Sequence, residues 1–357
     1  MSPINHEENL KLIHEMSEAK SEPRWLLDLR VKAYKEFMEK PMPEWGPDLS
    51  GLDLARIKFY ISPELAEGES WEQLPDEVKD TFDKLGIPEA EKSYLGGVGA
   101  QYDSGMVYHK ILDSLAKQGV IFENMDKAIH EYSELVERYF AKCIQYNEHK
   151  FSLLHYAFWS GGTFIYVPKG VKVSMPLQAY FRMNAISSGQ FEHTLIIADE
   201  GSYIEYIEGC SAPRYNTSSI HAGGVEIFVE NNAHVKYSSI ENWSRNTYNL
   251  NTKKAHVMTD AKIEWLNGNM GSHTTMLYPT SVLLGDRASN ISLGVVMAGD
   301  NQYQDTGSKV IHLGADTNSI IKSKSISRDG GVANYRGMVQ VGKRAENAVS
   351  TVDCDAL

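Results

Sequence analysis

The sequence is poor in cysteine: Cys143, Cys210 and Cys354 are the only three in 357 residues. So small and odd a number excludes the disulfide framework of a small secreted domain, and the thiols are expected to stay reduced. No C-x-x-C pair occurs, which excludes the local ligand spacing of a zinc ribbon or a ferredoxin-type cluster site. Any cluster the chain holds must draw on scattered ligands. A G-x-x-x-x-G-K-[ST] loop is also missing, and Gly96, Gly97 and Gly99 lack the strand-to-helix setting that a phosphate loop needs. ATP use is therefore expected to come from a partner. The twelve histidines include no H-E-x-x-H pair, which argues against a zinc hydrolase, and His193, His273 and His312 read as surface or core residues. There is no basic stripe, and a net charge of -12 argues against a protein that binds nucleic-acid backbone. No segment reaches transmembrane length. The first residues, MSPINHEENLKLIHEM, carry acids where a signal peptide has a basic start and an apolar run, so the expected location is the cytoplasm.

What is present is ordinary globular composition, 42% hydrophobic and 23% charged, in a chain long enough for one large domain or two moderate ones. Residues 1–150 read as a helical region with a loop-rich connector. A first helical stretch runs to about Lys40 and is ended by Pro41, Pro43 and Pro47. Two helical patterns recur between Ser104 and Lys150. In the second, Met125, Ile129, Tyr132, Val136, Tyr139 and Cys143 share one face, which marks Cys143 as a core residue. From about Phe151 the texture becomes β: Val, Ile, Thr, Tyr and Phe alternate with polar residues between Gly/Asn/Asp turns. Gly201, Ala233, Ala261, Ala288 and Thr317 mark equivalent turns at spacings of 32, 28, 27 and 29 residues. So regular a period suits a solenoid over residues 151–357 in which each coil covers the next; an antiparallel sandwich is the alternative.

Several long segments carry a resemblance. AQYDSGMVYHK from Ala100, FWSGGTFIYVPKGVKV from Phe158, LQAYFRMNA from Leu177, YIEGCSAP from Tyr206, SKSISRDGG from Ser323 and YRGMVQVG from Tyr335 are similar to segments of the SufB/SufD family of the SUF iron-sulfur cluster assembly system. The AQYDS block and the cysteine of YIEGCSAP resemble the SufB branch. The resemblance implies a mostly β protein: a right-handed parallel β-helix preceded by a helical region. It implies an assembly scaffold rather than an enzyme, with ATPase activity residing in the partner SufC. SufD or a second SufB and a cysteine desulfurase or sulfur-transfer protein are the other implied partners. The cargo implied is a transient iron-sulfur cluster of the 4Fe-4S type, with reduced flavin acting at the level of the complex; no residue here marks a flavin site. The family's C-terminal helices, which dock SufC and bring acidic and histidine residues near the cluster cysteine, are expected to be absent because the chain stops at Leu357. Weak binding of SufC is the corresponding expectation.

Carried over residue by residue, the resemblance makes Cys210 the sulfur acceptor and Cys354, between Asp353 and Asp355, the cluster-building cysteine and metal ligand. Cys210 stands in a Gly-Cys-Ser-Ala-Pro turn, expected to expose the thiol at a corner where an electropositive neighbourhood lowers its pKa. The two cysteines are 144 residues apart, about five coils or roughly 24 Å along the axis, which argues against a single direct handover: sulfur is expected to cross the solenoid interior, or the chain to move. Arg182, Asn184, Glu241, Trp243 and Lys253 resemble the family's positions between the two. Arg182 and Lys253 would favour sulfur anions and Trp243 would exclude water, while Glu241 adds a negative charge where many relatives carry Gln. Two other readings compete: a carbohydrate-active β-helix enzyme, for which no convincing acid cluster is seen, and a structural paralogue like SufD.

Overall fold

The computed structural model describes residues 4–61, 73–84, 86, 91, 93–213 and 217–357. Their alternating apolar residues form a β-solenoid of about seven turns, with about 42% strand and 21% helix, preceded by helices. Each coil has three faces. The first carries the long strands Leu177–Arg182, Tyr203–Ser211, His234–Asn242, Lys262–Asn269, Ser289–Ala298, Asn318–Ser327 and Val349–Ala356, each parallel to the next. The second carries the short strands Gly189–Gln190, Ser219–His221, Thr247–Asn249 and Thr274–Leu277. The third carries Gly162–Val167, His193–Ala198, Gly224–Val229, Thr252–Val257 and Thr280–Leu283. In the last coils these two faces fuse into the ten-residue strands Tyr303–His312 and Val332–Val341.

The periodic turns have a backbone cause. Gly201, Asn232, Asp260, Arg287, Asp316 and Asn347 each enter a first-face strand in the left-handed region, with φ between 56° and 66°. Gly, Asn and Asp tolerate that conformation best, and this is why the turns share a composition. The sequence marker is one residue out at its first position. Tyr203 pairs with His234, so Ser202 rather than Gly201 is equivalent to Ala233.

The strands begin earlier than the texture indicates. Gly97–Tyr102 extends the first face in parallel with Leu177–Arg182 and pairs antiparallel with Gly105–Ile111, while Ile121–Asn124 pairs with Gly162–Val167. The helical reading of the stretch from Ser104 therefore holds only for the short helix Asp113–Ala116 and from Met125 onward. Helices Met125–Glu131 and Ser133–Tyr139 break at Tyr132, and Cys143 lies beyond them in a bend. It is buried nonetheless. The backbone N–H groups of Ala141, Cys143 and Ile144 donate to the buried Glu226 carboxylate at 2.7, 2.7 and 2.8 Å, fastening this segment to the third face. Helix Lys150–Phe158 packs under Arg24–Glu39, where the fully buried Arg30 pairs with Glu22 at 2.6 Å and donates to the carbonyls of Ala157 and Trp159. None of the described helices is long and apolar enough to cross a membrane.

Because Asn232 is exposed and adopts φ 59°, its replacement tests the turn argument free of packing. Asn232→Ala should lower stability to urea by about 1 kcal/mol and Asn232→Gly by a few tenths at most. Equal losses in the two variants would refute the backbone cause.

Candidate functional site

Parity along the first face decides which side chains enter the solenoid. In Tyr203–Ser211 the inward residues are Ile204, Tyr206, Glu208 and Cys210, and in His234–Asn242 they include Tyr237, Ser239 and Glu241. Cys210 is therefore not at an exposed corner. The strand runs through it, paired with Phe181 on one side and Glu241 on the other, and the thiol is 2% exposed. The expected electropositive setting is also reversed. Burial first, then the carboxylates of Glu208, Glu241 and Glu192, push the thiol well above its ordinary pKa, with Lys253 opposing them.

Lys253 enters from the third face and is wholly buried. Its ammonium donates to Glu241 at 2.7 Å and to Ser239 Oγ at 3.0 Å, and stands 3.6 Å from Glu208. Burial would raise the pKa of Glu241, but Lys253, then His221, outweigh it and hold it below the ordinary carboxylate value. Glu208 is less well provided for. Beyond the shared Lys253 it accepts a 3.4 Å hydrogen bond from Thr194 and faces the Tyr237 hydroxyl, and burial raises its pKa.

The second face supplies the remaining partners. His221 meets the Glu192 carboxylate through Nε2 and Asn249 Oδ1 through Nδ1 at 2.8 Å, while Asn249 Nδ2 donates to Glu241. Both ring nitrogens face acceptors, so the imidazole carries two protons. Burial opposes that charge, but Glu192 and then Glu241 raise the pKa above its ordinary value. Trp243 is buried with its ring 4.3 Å from His221 and walls this corner. Gln190, Glu192, Asn269, Thr275 and Gln304 each keep a buried polar atom without a protein hydrogen bond, which leaves this corner with polar groups free to meet a further partner.

Cys210, Glu241, Trp243 and Lys253 thus come together. Arg182 does not join them: it pairs with Ser211, and both it and Tyr180 reach Ser211 Oγ on the outer side of the strand. Asn184 lies in the following loop, where the N–H groups of Asn184 and Ala185 donate to the Asp103 carboxylate. Glu192, Glu208 and His221 escape motif reading. The signal for Glu208 was present in the alternation, as an acid at the parity of Ile204 and Tyr206.

Register connects Cys354 to the inward residue two positions before Cys210. The inward column that starts at Ala179 continues through Glu208, Ser239, Asn267, Gly294 and Ser323 to Cys354. From Glu208 that is five steps, roughly 24 Å at the inter-strand spacing. Every member between the acid and the thiol is small or polar. A cavity of about 20 Å³, large enough for a water-sized group, opens beside Asn267, Gly294, Ser323 and Tyr335. A Cβ at Gly294 would meet nothing closer than 4.0 Å. Cys354 itself is exposed, and residual burial, Asp353 and Asp355 raise its pKa against Tyr335 and Lys324. Among the described residues no group of three or more His, Cys, Asp or Glu side chains could hold a metal ion, so a cluster on Cys354 needs further ligands. Gly97 and Gly99 lie within a strand and Gly96 beside it, so this glycine group does not form a phosphate-binding loop at a helix start.

Residues 181–357 match the family described as SUF system FeS cluster assembly, SufBD core domain, and residues 101–179 match the SufBD protein N-terminal region. The chain belongs to the SufBD family of iron-sulfur cluster assembly proteins. It is 51% identical over 346 residues to an iron-sulfur cluster assembly SufBD family protein of Staphylococcus epidermidis, covering 97% of this chain and 74% of that one. Proteins of the same description from Staphylococcus aureus and Staphylococcus haemolyticus are 50% and 51% identical over the same shares. SufBD membership fits a non-enzymatic assembly role with partners inside the SUF system, and it displaces the carbohydrate-active reading.

The charged interior of this SufBD protein makes stability depend on pH. A raised pKa means that the contribution of His221 is complete below the ordinary histidine value and is lost as pH rises through the raised one. Urea midpoints measured from about pH 6 to about pH 9 should therefore fall, with stability declining by at most about 1.4 kcal/mol per pH unit. His221→Gln should be less stable at the acid end and lose this slope; an unchanged slope would assign it to another group.

Proposed function

We propose that this SufBD protein is a SufB-type scaffold: sulfur enters as persulfide at Cys210, moves through the solenoid interior, and is built into a nascent cluster, of the 4Fe-4S type, at Cys354. The single observation that supports this is the inward column of small and polar residues from Glu208, beside Cys210, to Cys354. Soft thiolate suits iron and sulfide, and the missing ligands would come from SufD or a second SufB at a shared junction. A desulfurase or sulfur-transfer protein would load Cys210, SufC would supply ATP hydrolysis, and the setting would be the cytoplasm. Lys253 would stabilise sulfur anions in transit. Arg182 and Asn184 would act at the entrance end, where Arg182 meets Ser211, the neighbour of Cys210.

A burial of 2% exposure and a flanking set of carboxylates favour a second reading, a SufD-like structural paralogue whose cysteine is only core. Anaerobic incubation with a cysteine desulfurase, ferrous iron and a reductant separates the two. A scaffold acquires persulfide at Cys210 by mass spectrometry and a visible charge-transfer band that Cys354→Ser abolishes; a paralogue acquires neither. Gly294→Val tests the route. The residue sits in a strand and its Cβ has room, so the variant should fold while its branches fill the column. Persulfide at Cys210 should persist and the band should fall at least about tenfold. An undiminished band would place the route elsewhere.

A further inference from the structure

The charges around Cys210 do not pair off evenly. Glu192 is matched by His221 and Glu241 holds Lys253 at 2.7 Å, whereas Glu208 shares that lysine from 3.6 Å. Glu208 and Cys210 are two residues apart on one strand and both point inward, so one bridging water would connect the carboxylate to the thiol. We propose that Glu208 is the proton acceptor that makes Cys210 a nucleophile, a role that rests on Cys210 being the residue that takes up sulfur.

The step balances without an added oxidant or reductant. Glu208 takes the proton of Cys210, and the thiolate attacks the outer sulfur of a protonated donor persulfide, R–S–SH. A bond forms between Cys210 Sγ and that sulfur, the donor's own S–S bond breaks, and the donor leaves as thiolate. Protonated Glu208 returns the proton to it, giving R–SH and a persulfide on Cys210. Two neighbouring acids are tuned in opposite directions for this division of labour: Lys253 holds Glu241 below the ordinary carboxylate value, whereas burial raises the proton affinity of the Glu208 carboxylate, as an acceptor requires. The other titratable groups facing the pair are Tyr206 on the same strand, Tyr237 and Glu241 on the next, Lys253 from the third face, and Glu192 and His221 from the second.

Glu208→Gln separates a base from a bystander by the sign of its effect. Were Glu208 merely a like charge, its neutralisation would favour the thiolate and speed Cys210. As the base, its loss should slow Cys210 on the order of 100-fold at neutral pH. The probe is iodoacetamide, neutral and unrelated to sulfur transfer, applied to the full 357-residue chain with Cys210 followed by peptide mass spectrometry across pH. Glu208→Gln should be slow and rise about tenfold per pH unit, while Glu208→Asp should regain part of the rate and the flatter profile. A rate equal to or above that of the parent chain, or a slower rate with the parent's pH profile, overturns the proposal. Parallel labelling with a low-molecular-weight persulfide tests the reading beneath it: if alkylation depends on Glu208 but no persulfide appears on Cys210, the base assignment stands and the sulfur-entry role falls.

Discussion

Coil-to-coil register on the first face is the constraint on which the site depends. A parallel ladder fixes which residue of one coil lies beside which of the next, and a period of two fixes which enter the interior. Moving Tyr203–Ser211 by one residue would turn Glu208 and Cys210 outward and bring Glu205, Ile207 and Gly209 in. The same slip would break the column to Cys354. Left-handed residues at the coil entrances hold this register, since each begins its strand at the same point of the turn. Gly209 reinforces it from outside: any side chain there would strike the Tyr180 ring.

Against that rigid frame, three acids and one lysine in the interior need a reason. Well-packed apolar residues would stabilise a coil as well as a buried ion pair does, whereas stripping one partner from such a pair costs about 3–5 kcal/mol. Neighbouring coils show the simpler solution, with Ile204, Val235 and Ile263 stacked in an inward column of the same face. Charge is confined to the corner that also holds Cys210. The interior is thus divided along its length into an apolar side that supplies stability and a polar side that holds the charged groups.

Much of the fold was legible because its signals are local. Turn residues that tolerate positive φ recur once per coil, and strand alternation is visible between them. Gly97–Tyr102 and Gly105–Ile111 were not legible: they are short and glycine-bearing, and the first is held to the sheet by pairing with residues about eighty positions away. Cys210 shows the same limit at the site. Gly-Cys-Ser-Ala-Pro reads as a turn, yet Asn242 of the next coil pairs with Ser211 and draws the strand through the cysteine. The family resemblance found Cys210, Glu241, Trp243 and Lys253, which the structure brings together. It could not find that the thiol's neighbours are mostly acids, because His221, Glu192 and Glu208 meet only when three faces close.

The two thiols present opposite problems, and the solution to each is visible in its surroundings. Cys354 is exposed and flanked by acids on the outer side of its strand, so water can solvate its anion and metal can approach it. Cys210 has no such solvation, and its anion must be stabilised by groups already in place. Lys253 cannot serve it alone while bound to Glu241. A proton moving from Cys210 to Glu208 changes this balance without changing the net charge of the cavity. Negative charge is transferred from one buried group to its neighbour, and the desolvation cost that would forbid a free thiolate is largely cancelled by neutralising a carboxylate already there. An acid beside a buried thiol looks like an obstacle when the thiol is considered by itself. Under the proposed proton transfer, the same acid becomes the group that lets a buried thiol ionise.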